Sequence, residues 1–228
     1  MDIEKIEALP LTKAQAMGYA KSVVGEQMGK PAEKVRYMGG GSFGRAVSVR
    51  CKDGQTLAVK FLRAKDMMQK EAHDLKLLAG HCTVKVPRVF FTRPGDQKIP
   101  VDCYGMELVG GKSALFAPGM LFLDKKRRME FADRVTEALH AIHSCKRDTF
   151  GDTMDAGCES WLEYYRPFAE GVLKKAEEYF KAGKLKEKVI LAMRAAWEQF
   201  GVIFSEEVKE ACLIHGDLNV GNIMVGKG

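Results

Sequence analysis

The chain has 228 residues, 46% hydrophobic and 29% charged, a balance that supplies a core and excludes an intrinsically disordered protein. Its net charge of +6 is modest, and the clearest basic run, Lys125-Lys126-Arg127-Arg128, opens a helical pattern with no aromatic interleaving, so nucleic acid is not an expected partner. Six scattered cysteines without a C-x-x-C pair or a secretory N-terminus, and no apolar run approaching the roughly 18 residues of a membrane span, lead us to expect a cytoplasmic protein with free thiols.

Thr12 and Gln15 form a capping box ahead of Ala16, Met17, Ala20, Val23 and Val24, whose spacing is helical until Gly29 and Pro31 stop it. The period then changes. Val35–Met38, Ala46–Cys51 and Leu57–Leu62, with an Asp53-Gly54 turn signal, read as a β-meander. Met68, Ala72, Leu75 and Leu78 return to helical spacing, and Pro87–Phe91 and Val101–Val109 read as two more strands. From Asp124 onward three helical faces follow: Ala132, Val135, Leu139 and Ile142; Trp161, Tyr165, Phe168 and Val172; Val189, Met193, Trp197 and Phe200. The expected fold class is α+β, an antiparallel sheet with one crossing helix followed by a mostly α-helical part, with Gly110-Gly111 as a hinge.

Three motifs carry chemistry. Gly39-Gly40-Gly41-Ser42-Phe43-Gly44 contains G-x-G-x-x-G, but it lies between two strand patterns rather than ahead of a helix. It therefore reads as a β-turn whose glycines let main-chain N–H groups approach phosphate oxygens; an ordinary glycine-rich hairpin is the plainer alternative. Lys60, in the apolar strand Leu57-Ala58-Val59-Lys60-Phe61, needs anions to offset its burial, and Glu71 on the next helix is the candidate carboxylate. Near the C-terminus, His215-Gly216-Asp217-Leu218-Asn219-Val220-Gly221-Asn222 lies between two apolar runs, a strand–loop–strand that groups Asp217 with Asn222. Asp, four residues, then Asn is the spacing of a kinase catalytic loop, where Asp accepts the substrate hydroxyl proton and Asn binds Mg²⁺.

With Gly rather than Arg between His215 and Asp217, this block resembles the aminoglycoside-phosphotransferase family, relatives of the protein kinases, and the resemblance runs from about Val35 to the end. It implies a protein-kinase-like two-lobe fold. In it Gly39 to Gly44 cover the phosphates of ATP, Lys60 paired with Glu71 contacts them, Asp217 is the catalytic base and Asn222 a Mg²⁺ ligand. Met106, Glu107, Leu108 and Val109 are similar to the segment whose main chain binds adenine. The domains expected are an N-terminal helix (1–32), a nucleotide-binding lobe (33–109) and a partial helical lobe (110–228).

The resemblance further implies a Mg²⁺-holding Asp after the catalytic Asn, beyond the stretch Gly226-Lys227-Gly228 on which this sequence ends. The expectation is thus an ATP-dependent phosphotransferase acting on a small-molecule hydroxyl, in a fragment that binds nucleotide with little turnover. A non-catalytic nucleotide-binding or interaction module is the alternative. Ile223-Met224-Val225 is expected to leave an apolar strand edge that promotes self-association. Trp161 and Tyr165 are read as core or acceptor-site residues, and His140 and His143 as packing.

Overall fold

The computed structural model describes residues 9–41, 44–64 and 66–226. Helix α1 (Lys13–Met28) opens on the capping box foreseen from sequence: Thr12 Oγ1 accepts from the Gln15 main-chain N–H at 3.2 Å, and Gln15 Oε1 accepts from Thr12 N at 2.9 Å. These bonds satisfy two donors that a helix start leaves unpaired. Gly29 ends the helix at φ 64, a left-handed cap that glycine adopts without strain, and its N–H returns to Gly25 O.

Strands β1 (Ala32–Gly39), β2 (Gly44–Cys51), β3 (Thr56–Leu62), β4 (Val89–Arg93) and β5 (Asp102–Glu107) form one antiparallel sheet in the order β1-β2-β3-β5-β4. Helix α2 (Met67–His81) crosses between β3 and β4. Alternation along β3 divides its side chains between two environments. Leu57, Val59 and Phe61 join Val47, Val49, Cys51 and Cys103 in a core closed by Ala16, Ala20, Val23 and Val24 of α1. Leu62, on the opposite face, packs with Met68 of α2 and Tyr104 of β5. Full burial of each Val or Phe in the first layer contributes roughly 1.5–3 kcal/mol, so α1 is an integral layer of this sheet.

The chain divides into two compact units, one holding Lys146–Leu213 and the other the sheet with the residues up to Cys145 and from Ile214 onward. The sheet-bearing unit continues through β6 (Lys112–Ser113), a 3₁₀ turn (Ala114–Phe116), α3 (Pro118–Leu121) and α4 (Lys125–His143). Asp124 caps α4 by accepting from Arg127 N at 2.8 Å. After α4, the other unit holds β7 (Lys146–Arg147), β8 (Phe150–Gly151), β9 (Ala156–Cys158), α5 (Trp161–Lys181), α6 (Glu187–Glu198), α7 (Phe200–Ile203) and β10 (Ala211–Cys212). Trp161 stacks on Tyr165 at 4.4 Å between centroids, and Phe200 and Phe204 complete that aromatic cluster. Arg194 of α6 grips Glu177 of α5 through two bonds of 2.6 and 2.7 Å.

Two details differ from the sequence reading. The helix expected through Trp197 and Phe200 breaks at Gln199, whose φ −94, ψ 11 is not helical, and Phe200 starts α7 while still packing on Trp197 at 5.2 Å. The strand ahead of the loop at 215–222 is Ala211–Cys212 rather than Leu213–Ile214, because its ladder is set by pairing with Arg147 and Lys146; Leu213 is buried beyond it and Ile214 is exposed. The last strand, β11 (Met224–Val225), returns to the sheet-bearing unit and pairs antiparallel with β6.

Candidate active site

Lys60 lies on the α2 face of β3, and its Nζ is 2.7 Å from Glu71 Oε2. The strand's two-residue period carries Lys60 to the same side as Ala58 and Leu62, and the first two turns of α2 bring Glu71 over it. The same Glu71 oxygen accepts a second hydrogen bond, from Tyr104 Oη at 2.9 Å. Tyr104 stands directly opposite Lys60 across the β3–β5 ladder and is 3% exposed. Burial, and then the neighbouring Glu71 carboxylate, push its ionisation far above the usual phenol range, so the hydroxyl keeps its proton.

The glycine loop joins this cluster at its C-terminal end. A Cβ on Gly44 would meet Phe61 O at 3.1 Å and Lys60 Cε at 3.3 Å, so the lysine stem runs close against the loop. At Gly40 a Cβ would fall 2.4 Å from Gly44 O, a closeness that only glycine allows. Gly39 has φ 141. Arg45 folds back, its guanidinium donating to Gly41 O and, at 2.9 Å, to Gly44 O. Ser42 and Phe43, two of the expected phosphate-loop residues, lie outside the described residues.

Asp217 and Asn222 meet in a second cluster of the same unit. Asn222 Nδ2 donates to Asp217 Oδ2 at 2.9 Å and to its main-chain oxygen at 2.8 Å. Asn219 Nδ2 donates to Asp217 Oδ1 at 3.0 Å, while Asn219 Oδ1 accepts from Gly221 N at 2.8 Å and Asn219 O from Asn222 N at 2.9 Å. Gly216, at φ 75, supplies the turn that precedes the aspartate. The carboxylate is thus oriented by one amide on each oxygen. Asn222 Oδ1 has no hydrogen-bond partner among the described residues.

Of the four residues expected beside a base, Met106 and Glu107 belong to β5, and Leu108 and Val109 lie beyond its ladder. Glu107 N is already committed to Arg88 O at 2.8 Å. Its carboxylate pairs with Lys85 at 2.5 Å, which holds it below the usual carboxylate range. The main-chain groups outside the sheet ladder are those of Leu108 and Val109.

Sequence reasoning did not single out Tyr104, Arg45 or Asn219. The Asn219-Val220-Gly221 turn signal was present for the last. Tyr104 offered only a polar tip in an apolar strand, and Arg45 a cation beside the loop. Trp161 and Tyr165 pack within the aromatic cluster of the other unit.

The sequence model of the phosphotransferase enzyme family (APH) matches residues 35–228. Similar solved structures include a thermostable mutant of an aminoglycoside phosphotransferase in ternary complex with AMP-PNP and hygromycin B, at 12% identity and TM-score 0.63, covering 90% of this chain and 66% of that one. The GDP complex of wild-type aminoglycoside 2'-phosphotransferase-IIIa has 16% identity and TM-score 0.67, covering 93% and 68%. A macrolide 2'-phosphotransferase apoenzyme from Brachybacterium faecium has 15% identity and TM-score 0.60, covering 92% and 68%. At these identities the likeness establishes the protein-kinase-like fold, and this chain spans about two thirds of the length of those structures. No curated protein matches the chain.

Proposed function

This chain belongs to the phosphotransferase enzyme family, and from that premise we propose that its residues bind ATP with Mg²⁺ and transfer the γ-phosphoryl group to a hydroxyl of a small molecule. The observation that carries the reading is the double grip of Asn222 on Asp217, which fixes a carboxylate and an amide oxygen side by side. Positioning of that kind is most of what phosphoryl transfer asks of a protein. Residues 33–109, after an N-terminal segment of 1–32, take the nucleotide; residues 110–228 carry the transfer chemistry.

In this reading the acceptor hydroxyl gives its proton to Asp217 as its oxygen bonds to the γ-phosphorus, and the bond from that phosphorus to the β–γ bridging oxygen breaks, releasing ADP. Lys60, turned toward the loop and braced by Glu71, attracts phosphate oxygens, and Gly39 to Gly44 bring main-chain donors to them. Leu108 and Val109 offer the free main-chain edge for adenine. Asn222 Oδ1 is a hard oxygen donor of the type Mg²⁺ selects, and that ion, when bound, would neutralise charge on the phosphates. Among the described residues no three His, Cys, Asp or Glu side chains gather into a metal-holding group.

Six unpaired cysteines fit a reducing cytoplasm, and no helix of the described residues is long and apolar enough to cross a membrane. The neighbours that bind hygromycin B or act on macrolides make aminoglycosides and macrolides the first acceptors to try. The deciding test is calorimetry of ATP with and without Mg²⁺ on this chain and on Lys60→Ala. Binding that Lys60→Ala weakens by about tenfold or more supports the assignment, given that a charged hydrogen bond contributes about 1.5–3 kcal/mol. Binding indifferent to Lys60 removes it.

A further inference from the structure

We propose that Tyr104 is a positioning residue of the nucleotide site, a second anchor that holds Glu71 and the α2 helix in the engaged position whether or not Lys60 is bound to the same carboxylate. The inference rests on the nucleotide reading of the site for its consequence, though not for its geometry. Glu71 Oε2 receives two donors, Lys60 Nζ at 2.7 Å and Tyr104 Oη at 2.9 Å. One is a flexible ammonium on β3 that any phosphate competes for. The other is a neutral hydroxyl on a rigid ring, on β5, directly opposite Lys60 in the ladder.

The two donors behave differently when an anion arrives. An ammonium drawn toward phosphate oxygens leaves Glu71 with a weaker partner, and a half-buried carboxylate losing its only donor would pull α2 outward toward water. With Tyr104 in place the carboxylate keeps one hydrogen bond. The ring cannot follow the phosphate: it is 3% exposed and belongs to a buried cluster with Leu62 and Met68, against which Met67, Leu75, Val89 and Met106 pack. Met67, Met68 and Leu75 belong to α2, so the ring holds the helix by packing at the same place where the hydroxyl holds it by a hydrogen bond. Tyr104 therefore defines the point in space at which Lys60 finds its carboxylate, and the site is assembled before nucleotide enters.

Tyr104→Phe separates the two contributions, because it keeps the ring and deletes only the hydroxyl. Hydrogen exchange of the nucleotide-free chain reads the anchor directly. The α2 amides of Tyr104→Phe should exchange faster, while those of Lys60→Ala stay protected and the α1 amides are unchanged in both. If Lys60→Ala releases α2 and Tyr104→Phe does not, the proposal is overturned. Calorimetry then reads the consequence: Tyr104→Phe should weaken ATP binding by about fivefold to tenfold, less than the full strength of one hydrogen bond to a charged group because the hydroxyl acts on nucleotide only through Glu71. In a Glu71→Gln background the same substitution should weaken it less, since the two residues act through one oxygen. Equal losses in both backgrounds would show that Tyr104 acts through stability alone. Should wild-type chain bind no ATP while the exchange pattern appears as stated, the nucleotide reading fails and the anchor stands.

Discussion

Asn222 holds Asp217 by both its carboxylate and its main chain, with one amide nitrogen 2.9 Å from Oδ2 and 2.8 Å from the carbonyl oxygen. A carboxylate in place of that amide would meet Asp217 as a like charge across a hydrogen-bond distance. Two carboxylates so close repel each other, so the pair gives up its last proton at higher pH than a lone carboxylate does. Asn222→Asp should therefore shift the pH–rate profile of nucleoside diphosphate release to higher pH, because the base form of the pair is recovered only as pH rises. A profile superimposable on that of the wild type would mean that Asp217 is not the titrating base.

Asn219 separates orientation from chemistry. Its amide orders one oxygen of Asp217 while its own oxygen secures the turn at Gly221. Removing the proposed base, in Asp217→Asn, should cost about 10²–10⁴ in transfer rate. Asn219→Ala should cost only about tenfold, the loss of one charge-assisted bond, with ATP affinity retained in both. Steady-state rates beside calorimetric affinities make the comparison. A larger loss for Asn219→Ala than for Asp217→Asn would reverse the assignment.

Much of the sheet-bearing unit was legible from residue order. The capping box of Thr12 and Gln15, the meander and the crossing helix follow from local rules that hold within a few residues. The Lys60–Glu71 pair was legible too, since strand alternation and one helix turn are enough to bring them together. What local rules do not carry is register between distant strands. Nothing near Tyr104 in the sequence says that it will stand opposite Lys60, 44 positions away, and the pairing of Ala211–Cys212 with Lys146–Arg147 is equally remote. Asn219 stayed hidden for a different reason: turn asparagines usually bond their own main chain, and this one also reaches a carboxylate.

Gly111 tests how β11 is held. It has φ 105, and a Cβ there would lie 2.3 Å from Val225 O. Gly111→Ala combines a left-handed alanine, costing about 1–3 kcal/mol, with a clash that forces β11 off β6. The expected result is a thermal midpoint lowered by several degrees, with faster exchange at Met224 and Val225. An unchanged midpoint would mean that the β6–β11 ladder contributes nothing to stability.

Asp96 closes the β4–β5 turn, accepting from Lys98 N and Ile99 N and pairing with the buried Arg93 at 2.6 Å. The Ile99 amide first, and the Arg93 guanidinium second, hold its carboxyl down at about 2, against an ordinary 3.8. A depressed folded-state value means that the stabilisation is complete above the unfolded value and is lost as pH falls from about 3.8 through about 2. Asp96→Asn lacks this dependence. The difference in thermal midpoint between wild type and Asp96→Asn should therefore be widest near neutrality and shrink in that acid window. A constant difference would show that the carboxylate charge is not what stabilises the turn.

The last strand also bears on assembly. One edge of β11 is taken by Lys112 and Ser113, and the other takes no strand among the described residues. Exposed apolar side chains surround it: Met224 on the strand itself, Val220 before it, and Leu115 and Phe116 after β6, where Leu115 N donates to Val220 O. An open edge bordered by apolar side chains recruits another chain's edge, and a lysine at such an edge discourages it. Light scattering of the 228-residue chain should therefore show concentration-dependent mass above the monomer, and Met224→Lys should return it toward monomer without loss of ATP binding. A monodisperse monomer across the concentration range would show that β6 alone is cover enough for this edge.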